Sequence, residues 1–151
     1  MPTIYVDADA CPVKDEALRV AERHGVPIVY VANTGLRPSR DPMIRYVMVA
    51  QGADAADDWI VEHVVTGDVV VTADIPLASR ALAAGAEVVG PNGKPFTEAS
   101  IGMALAMRDL NRHLRETGES RGFNAAFGPR ERQQFLQTFD EMVRRAVRAK
   151  P

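Results

Sequence analysis

The chain of 151 residues has one cysteine, Cys11, one tryptophan, Trp59, and only 6% aromatic residues. A single thiol closes no intramolecular disulfide, and the three histidines lack partners at metal-ligand spacing, so neither a disulfide framework nor a zinc site is indicated. No apolar run approaches the ~20 residues of a membrane span. Low-complexity tracts and repeats are absent, and the opening residues carry neither a basic n-region nor a long apolar h-region. The expectation is a cytoplasmic protein with no membrane partner. A large excess of one charge is also missing: the net charge is −2, which excludes a globally basic nucleic-acid binder. Its distribution is uneven, however, with 8 Lys/Arg against 13 Asp/Glu in residues 1–97 and 10 against 7 in residues 98–151. An acidic pocket beside a local basic surface is compatible with that asymmetry.

What is present is a run of short apolar segments alternating with helical patterns. Ile4–Val6 reads as a buried strand, and Pro12 suits the start of a helix carrying Val13, Ala17, Leu18, Val20 and Ala21 up to Arg23, with Gly25 as its stop. PIVYVA (27–32) and IRYVMVA (44–50) read as strands around a polar loop, and need not be parallel neighbours. Residues 53–64 have a helical stripe in Ala56, Trp59, Ile60, His63 and Val64. DVVVTAD (68–74) is a fourth strand, Leu77–Ala84 a short helix and AEVVG (86–90) a fifth strand. GPNGKPFT reads as a loop, followed by helices over 98–115 and 130–149 with a Gly-rich polar stretch between them. This order predicts one α/β domain over 1–151, with a mainly parallel sheet, helices on its faces and a C-terminal helical part from 98.

The chemistry concentrates where strands end. Asp7 and Asp9 follow the first strand and Asp74 ends the fourth, so all three meet in one crevice if those strands are neighbours at a topological switch point. On the 53–64 helix, Asp57 falls at the margin of the apolar stripe and Asp58 faces away. Asp54 suits either the helix start, as a cap, or the same site. So many carboxylates in one cleft repel one another, and the DADAC and TADIP segments contain no Lys or Arg; Lys14 is the nearest. All-oxygen ligation suits Mg²⁺ or Mn²⁺ bridging substrate phosphates, which points to a metal-dependent phosphate-ester site. Lys14, Asn33, Arg37, Ser39 and Arg40 are candidates for gripping phosphate on the same rim, and the Thr72 hydroxyl for bonding phosphate or water. The alternatives for these are a solvated loop, a solvated lysine and an ordinary strand threonine.

VDADACPVK, VANTGLRPSR, GADAADDWIV, GDVVVTADIPLA and GFNAAFGPRERQQF together resemble the bacterial YaiI/YqxD family, grouped with PIN-like nuclease domains. The resemblance spans nearly the whole chain. It implies a three-layer PIN-like domain whose strand-end acids, here Asp7, Asp57 and Asp74 with Asp9 of the DxD motif, hold Mg²⁺ or Mn²⁺ for hydrolysis of a phosphodiester, with RNA favoured as the nucleic-acid partner.

Two rivals remain. A haloacid-dehalogenase-like phosphatase also has a strand ending in DxD, with its first aspartate, here Asp7, as nucleophile. That signature continues with a small residue and Thr or Val, where this chain has Ala10 and Cys11, and no later lysine is followed by an acidic pair. A non-catalytic RNA-binding or regulatory domain that retains the cation site is the other rival. Cys11 reads as a small buried residue rather than a reactive thiol, and His63 as a histidine packed near Trp59 rather than a ligand.

Overall fold

The computed structural model describes residues 1–9, 11–33, 40–50, 54–103, 105–107 and 127–149. Its centre is a six-stranded sheet in the order β3-β2-β1-β4-β5-β6, formed by β1 (Ile4–Asp7), β2 (Ile28–Ala32), β3 (Ile44–Met48), β4 (Val69–Val71), β5 (Glu87–Val89) and β6 (Pro95–Phe96). The first five run parallel; β6 pairs antiparallel with β5. Parallel strands are covered on both faces, so they read as continuous Val/Ile runs, as β2 (IVYVA) and β4 (VVV) do.

Side-chain alternation sorts those runs into two cores. Ile4, Val6, Ile28, Tyr30, Val69 and Val71 pack with Ala17, Val20 and Ala21 of α1 (Lys14–His24) and with Phe135, Phe139, Met142 and Val143 of the C-terminal helix (Pro129–Ala149). Tyr5, Val29, Val31, Val70 and Val88 face the other way, against Ala56 and Ile60 of α2 (Ala55–His63) and Leu77, Ala78 and Ala81 of α3 (Ile75–Ala83). The result is three layers, as the sequence predicts. Among the described residues no helix is long and apolar enough to cross a membrane.

The elements differ from the sequence expectation at particular points. Strands β2 and β3 are parallel neighbours although only residues 33–43 join them. Helix α1 starts at Lys14, so Pro12 stands in the turn before it, and α3 starts two residues early at Ile75 because Asp74 caps it. The segment read as the loop GPNGKPFT contains β6, an edge strand of two residues, short enough to tolerate Pro95. Residues 98–103 and 105–107 are helical, while the expected continuation to 115 and the Gly-rich stretch up to 126 fall outside the described residues.

Candidate carboxylate site

Strand β1 lies between β2 and β4, and its following helix returns the chain to β2 on one side while β4 enters from the other. This is the reversal of strand order at which ligands of open α/β sheets bind, beyond the carboxyl ends of the strands. Asp7 is the last residue of β1, and Thr72 follows the last residue of β4. Both sides of the reversal therefore end in polar groups at one place.

A cleft of about 250 Å³ opens there, lined by Asp7, Asp9, Cys11, Thr72, Ala73, Asp74 and Pro91. No lysine or arginine is among those residues. Two larger hollows, one between α1 and the C-terminal helix and one beside β5 and β6, have no such group of carboxylates in their walls.

Each acid in the cleft is held by one protein hydrogen bond. Thr72, 2% exposed, donates its hydroxyl to Asp7 Oδ2 at 2.9 Å and accepts the Asp74 backbone N–H on the same oxygen at 3.0 Å. Asp74 Oδ1 accepts the Leu77 N–H at 3.0 Å, the bond that caps α3. Asp9 Oδ2 accepts the Asn33 N–H at 2.8 Å, while the Asn33 side chain donates to the carbonyl of Ala50 at 3.1 Å. Asn33 thereby ties the exits of β2 and β3 to the acid of the β1 loop. The second oxygen of each of the three carboxylates makes no protein hydrogen bond among the described residues.

Asp57, on the first turn of α2, is 9% exposed and stands beside the cleft rather than in its wall. Burial first, then the charges of Asp74, Asp7 and Asp54, push its carboxyl up to about 6, only partly relieved by Arg80. Asp7 is also raised, by burial and then by Asp74 and Asp9, against the lowering effect of the Thr72 hydroxyl. Asp57 thus feels Asp74, Asp7 and Asp54, and Asp7 feels Asp74 and Asp9. Asp54 sits at the N-cap position of α2 but makes no side-chain capping bond, and Asp58 turns outward to Arg80 at 2.8 Å.

Other expected site residues are placed differently. Thr72 is buried and lines the cleft, and its hydroxyl is engaged on both sides, by the Asp7 carboxylate and the Asp74 N–H, which it orients. Arg40 precedes β3, whose first residue Ile44 pairs with Ile28, the first residue of β2. The return of the chain in a parallel pair brings Arg40 toward the amino ends of the strands, opposite the acids. Arg37 and Ser39 lie outside the described residues. Lys14 is exposed at the start of α1, where its carbonyl accepts the Tyr30 hydroxyl at 2.8 Å, and it does not line the cleft. Cys11 is buried, and burial raises its thiol pKa, as suits an inert side chain. Pro91, after β5, escaped sequence reasoning because nothing in its residue type signals a cleft wall.

The fit to a divalent cation has two sides. Among the described residues no group of three or more His, Cys, Asp or Glu side chains is placed so that it could hold a metal ion together. The carboxylates nevertheless suit a hard cation: they offer oxygen donors, no base neutralises them among the described lining residues, and each has an oxygen without a protein hydrogen bond among the described residues. Mg²⁺ commonly keeps several waters and takes one or two carboxylates, so an open set of this kind is compatible with it.

Comparison with known proteins adds kinship. A family model described as "Uncharacterized BCR, YaiI/YqxD family" matches residues 5–145. The UPF0178 protein mlr0875 of Mesorhizobium japonicum is 67% identical over 148 residues, which cover 98% of this chain and 96% of that protein. The UPF0178 protein RHE_CH02229 of Rhizobium etli is 65% identical over 95% of this chain and 92% of its own length. A UPF0178 protein of Parvibaculum lavamentivorans is 55% identical over 100% of this chain and 99% of its own length. No solved structure matches significantly. With its motifs, most of its length and these relatives in agreement, the chain belongs to the YaiI/YqxD family.

Proposed function

We propose that the protein is a Mg²⁺- or Mn²⁺-dependent nuclease that hydrolyses phosphodiester bonds, RNA in preference to DNA. The observation that supports this reading is the convergence of Asp7, Asp9 and Asp74, with Asp57 beside them, at the switch point of the sheet, with no basic side chain among the described residues of the cleft wall. A divalent cation bound there supplies a Lewis acid for a phosphate oxygen and a lower pKa for water. The chain's own part is orientation. Thr72 fixes the rotamers of the Asp7 side, the α3 cap fixes Asp74, and Asn33 fixes Asp9, so the three free oxygens are held at little further entropic cost. The preference for RNA rests on the resemblance of the motifs to PIN-like nucleases.

The experiment is hydrolysis of labelled RNA, single-stranded DNA and small phosphate mono- and diesters by purified protein with Mg²⁺, Mn²⁺ or EDTA. Metal-dependent cleavage of RNA that is lost in Asp7→Asn and Asp74→Asn, with circular dichroism unchanged, supports the proposal. Turnover of a monoester alone, through an aspartyl-phosphate on Asp7, replaces it with the phosphatase reading. RNA binding without hydrolysis replaces it with a binding module.

A further inference from the structure

On the flank of α2 opposite Asp57, three side chains form a compact cationic and aromatic surface. The Trp59 and His63 rings stack with centroids 3.8 Å apart and planes at 14°. Tyr5 meets Trp59 from the sheet at 6.1 Å, and the Arg45 guanidinium, on edge strand β3, stands 5.8 Å from the centre of the Trp59 ring. His63 and Arg45 are exposed and Trp59 is half-buried. The His63 ring is pinned: a carbonyl only accepts, so Nδ1 donates to the Trp59 carbonyl at 2.7 Å. The Tyr5 hydroxyl donates to the carbonyl of His63 itself at 3.3 Å. Arg45 forms no ion pair among the described residues.

Packing alone explains the buried side of Trp59 but not a pinned ring stacked outside it with an unpaired guanidinium alongside. An ordered π-face next to a cation fits a ligand that is flat and apolar on one side and anionic on the other, which is the chemistry of a nucleotide. In a duplex the base faces are covered by their neighbours, so only an unpaired strand offers one. We propose that His63, Trp59 and Arg45 form a nucleobase-stacking site, outside the carboxylate cleft, for a single-stranded stretch of polynucleotide. The base stacks on the outer face of His63, which Trp59 supports from behind, and Arg45 meets the adjacent phosphate. His63 closes α2 six residues beyond Asp57, about 9 Å along the helix axis and on the opposite flank, so a strand of a few nucleotides that crosses α2 reaches both sites. The inference rests on the nucleic-acid reading above and narrows it to single strands.

Trp59 is the chain's one tryptophan, so its fluorescence reports this site without labelling. The test is a titration in EDTA and low salt, where no cleavage occurs, with hexa-adenylate and, separately, inorganic polyphosphate. Saturable quenching by hexa-adenylate and none by polyphosphate is expected. His63→Ala and Arg45→Ala, both at exposed positions and checked for unchanged melting, should weaken binding about fivefold or more if stacking contributes its usual free energy. Three results overturn the site: no quenching, equal quenching by polyphosphate, or a signal that follows protein concentration alone, which would mark a contact between copies. Cleavage of RNA without quenching removes this site and leaves the nuclease reading. Quenching without cleavage under Mg²⁺ or Mn²⁺ removes the nuclease reading and leaves the site.

Discussion

Replacing Thr72 by Val keeps the shape of a fully enclosed side chain and deletes one oxygen that serves two partners. A hydrogen bond to a charged group contributes about 1.5–3 kcal/mol, and an orphaned N–H costs about 1–3 kcal/mol when water cannot reach it. Asp7 and Asp74 are only half-buried, so water recovers part of both losses. The additional apolar burial of valine returns some more. A net loss of about 2 kcal/mol follows, equivalent to roughly 4–8 °C in melting temperature for a domain of this size. The loss also has a pH signature. The Thr72 hydroxyl lowers the pKa of Asp7 against the burial that raises it, so the bond favours the ionised carboxylate. The deficit of the variant should therefore be largest at pH 8 and shrink as pH falls through the titration of Asp7. Urea unfolding of wild type, Thr72→Val and Thr72→Ser at pH 8 and pH 4, all in EDTA, measures it. Thr72→Ser retains the hydroxyl and should lose less than Thr72→Val at pH 8. Equal losses for the two variants, or a Thr72→Val deficit independent of pH, would refute the assignment of Thr72 as the group that orients the acids.

Further predictions concern the same acids and the layers that carry them. Asp57 titrates near 6 in the folded chain against an ordinary 3.8, so the stability associated with its proton is complete below pH 4 and lost as pH rises through 6. Asp57→Asn should thus gain on the order of 1 kcal/mol over wild type at pH 8 in EDTA and almost nothing at pH 4, read from thermal melts. At Asp140, burial raises the carboxyl, but the hydrogen bond and charge of His24, with Arg23 and Arg144, outweigh it and hold the pKa low. Its contribution is therefore present above the ordinary carboxylate range and lost as pH falls through the lowered value. Asp140→Ala should destabilise by about 1–2 kcal/mol at pH 7 and by less in acid, as denaturant midpoints would record. Phe139 is 0% exposed between the sheet and α1, and Phe139→Ala should cost about 3–5 kcal/mol and expose the C-terminal helix to limited proteolysis.

The sheet was legible because its strands are apolar runs buried on both faces, and Asp7, Asp9 and Asp74 announced themselves as charges at the ends of such runs. Their meeting depended on β1 and β4 being neighbours, which strand composition does not encode; the pairing supplies it. Asp57 was separable from Asp58 because helical periodicity assigns faces, and the structure buries the first and exposes the second. Periodicity fails at turns and edges. β6 was invisible because two residues, one a proline, carry no period, and the position of Arg40 was misjudged because a polar loop does not reveal at which end of the sheet it finishes. That the Thr72 hydroxyl links Asp7 to the Asp74 backbone was not readable either, since sequence does not show which strand ends meet.

The C-terminal helix meets the segments on either side of the cleft at two points. Arg132 donates to the Pro12 carbonyl at 2.7 Å and to Glu16 at 2.9 Å, holding the segment that follows Asp9 and Cys11. On the other side, Gly93 lies so close to the helix backbone that a Cβ there would fall 2.6 Å from the Gln134 carbonyl carbon, and the turn it belongs to carries Pro91 in the cleft wall. The Arg132–Pro12 bond spans 120 residues of chain. During synthesis, the acids of the first strand emerge long before the helix that braces their loop. A ribosome-bound chain stopped short of residue 129 would therefore display Asp7 and Asp9 without the supports at Pro12 and Gly93. Emergence of that helix, rather than formation of the first strands, sets the moment at which the segments flanking the cleft are braced.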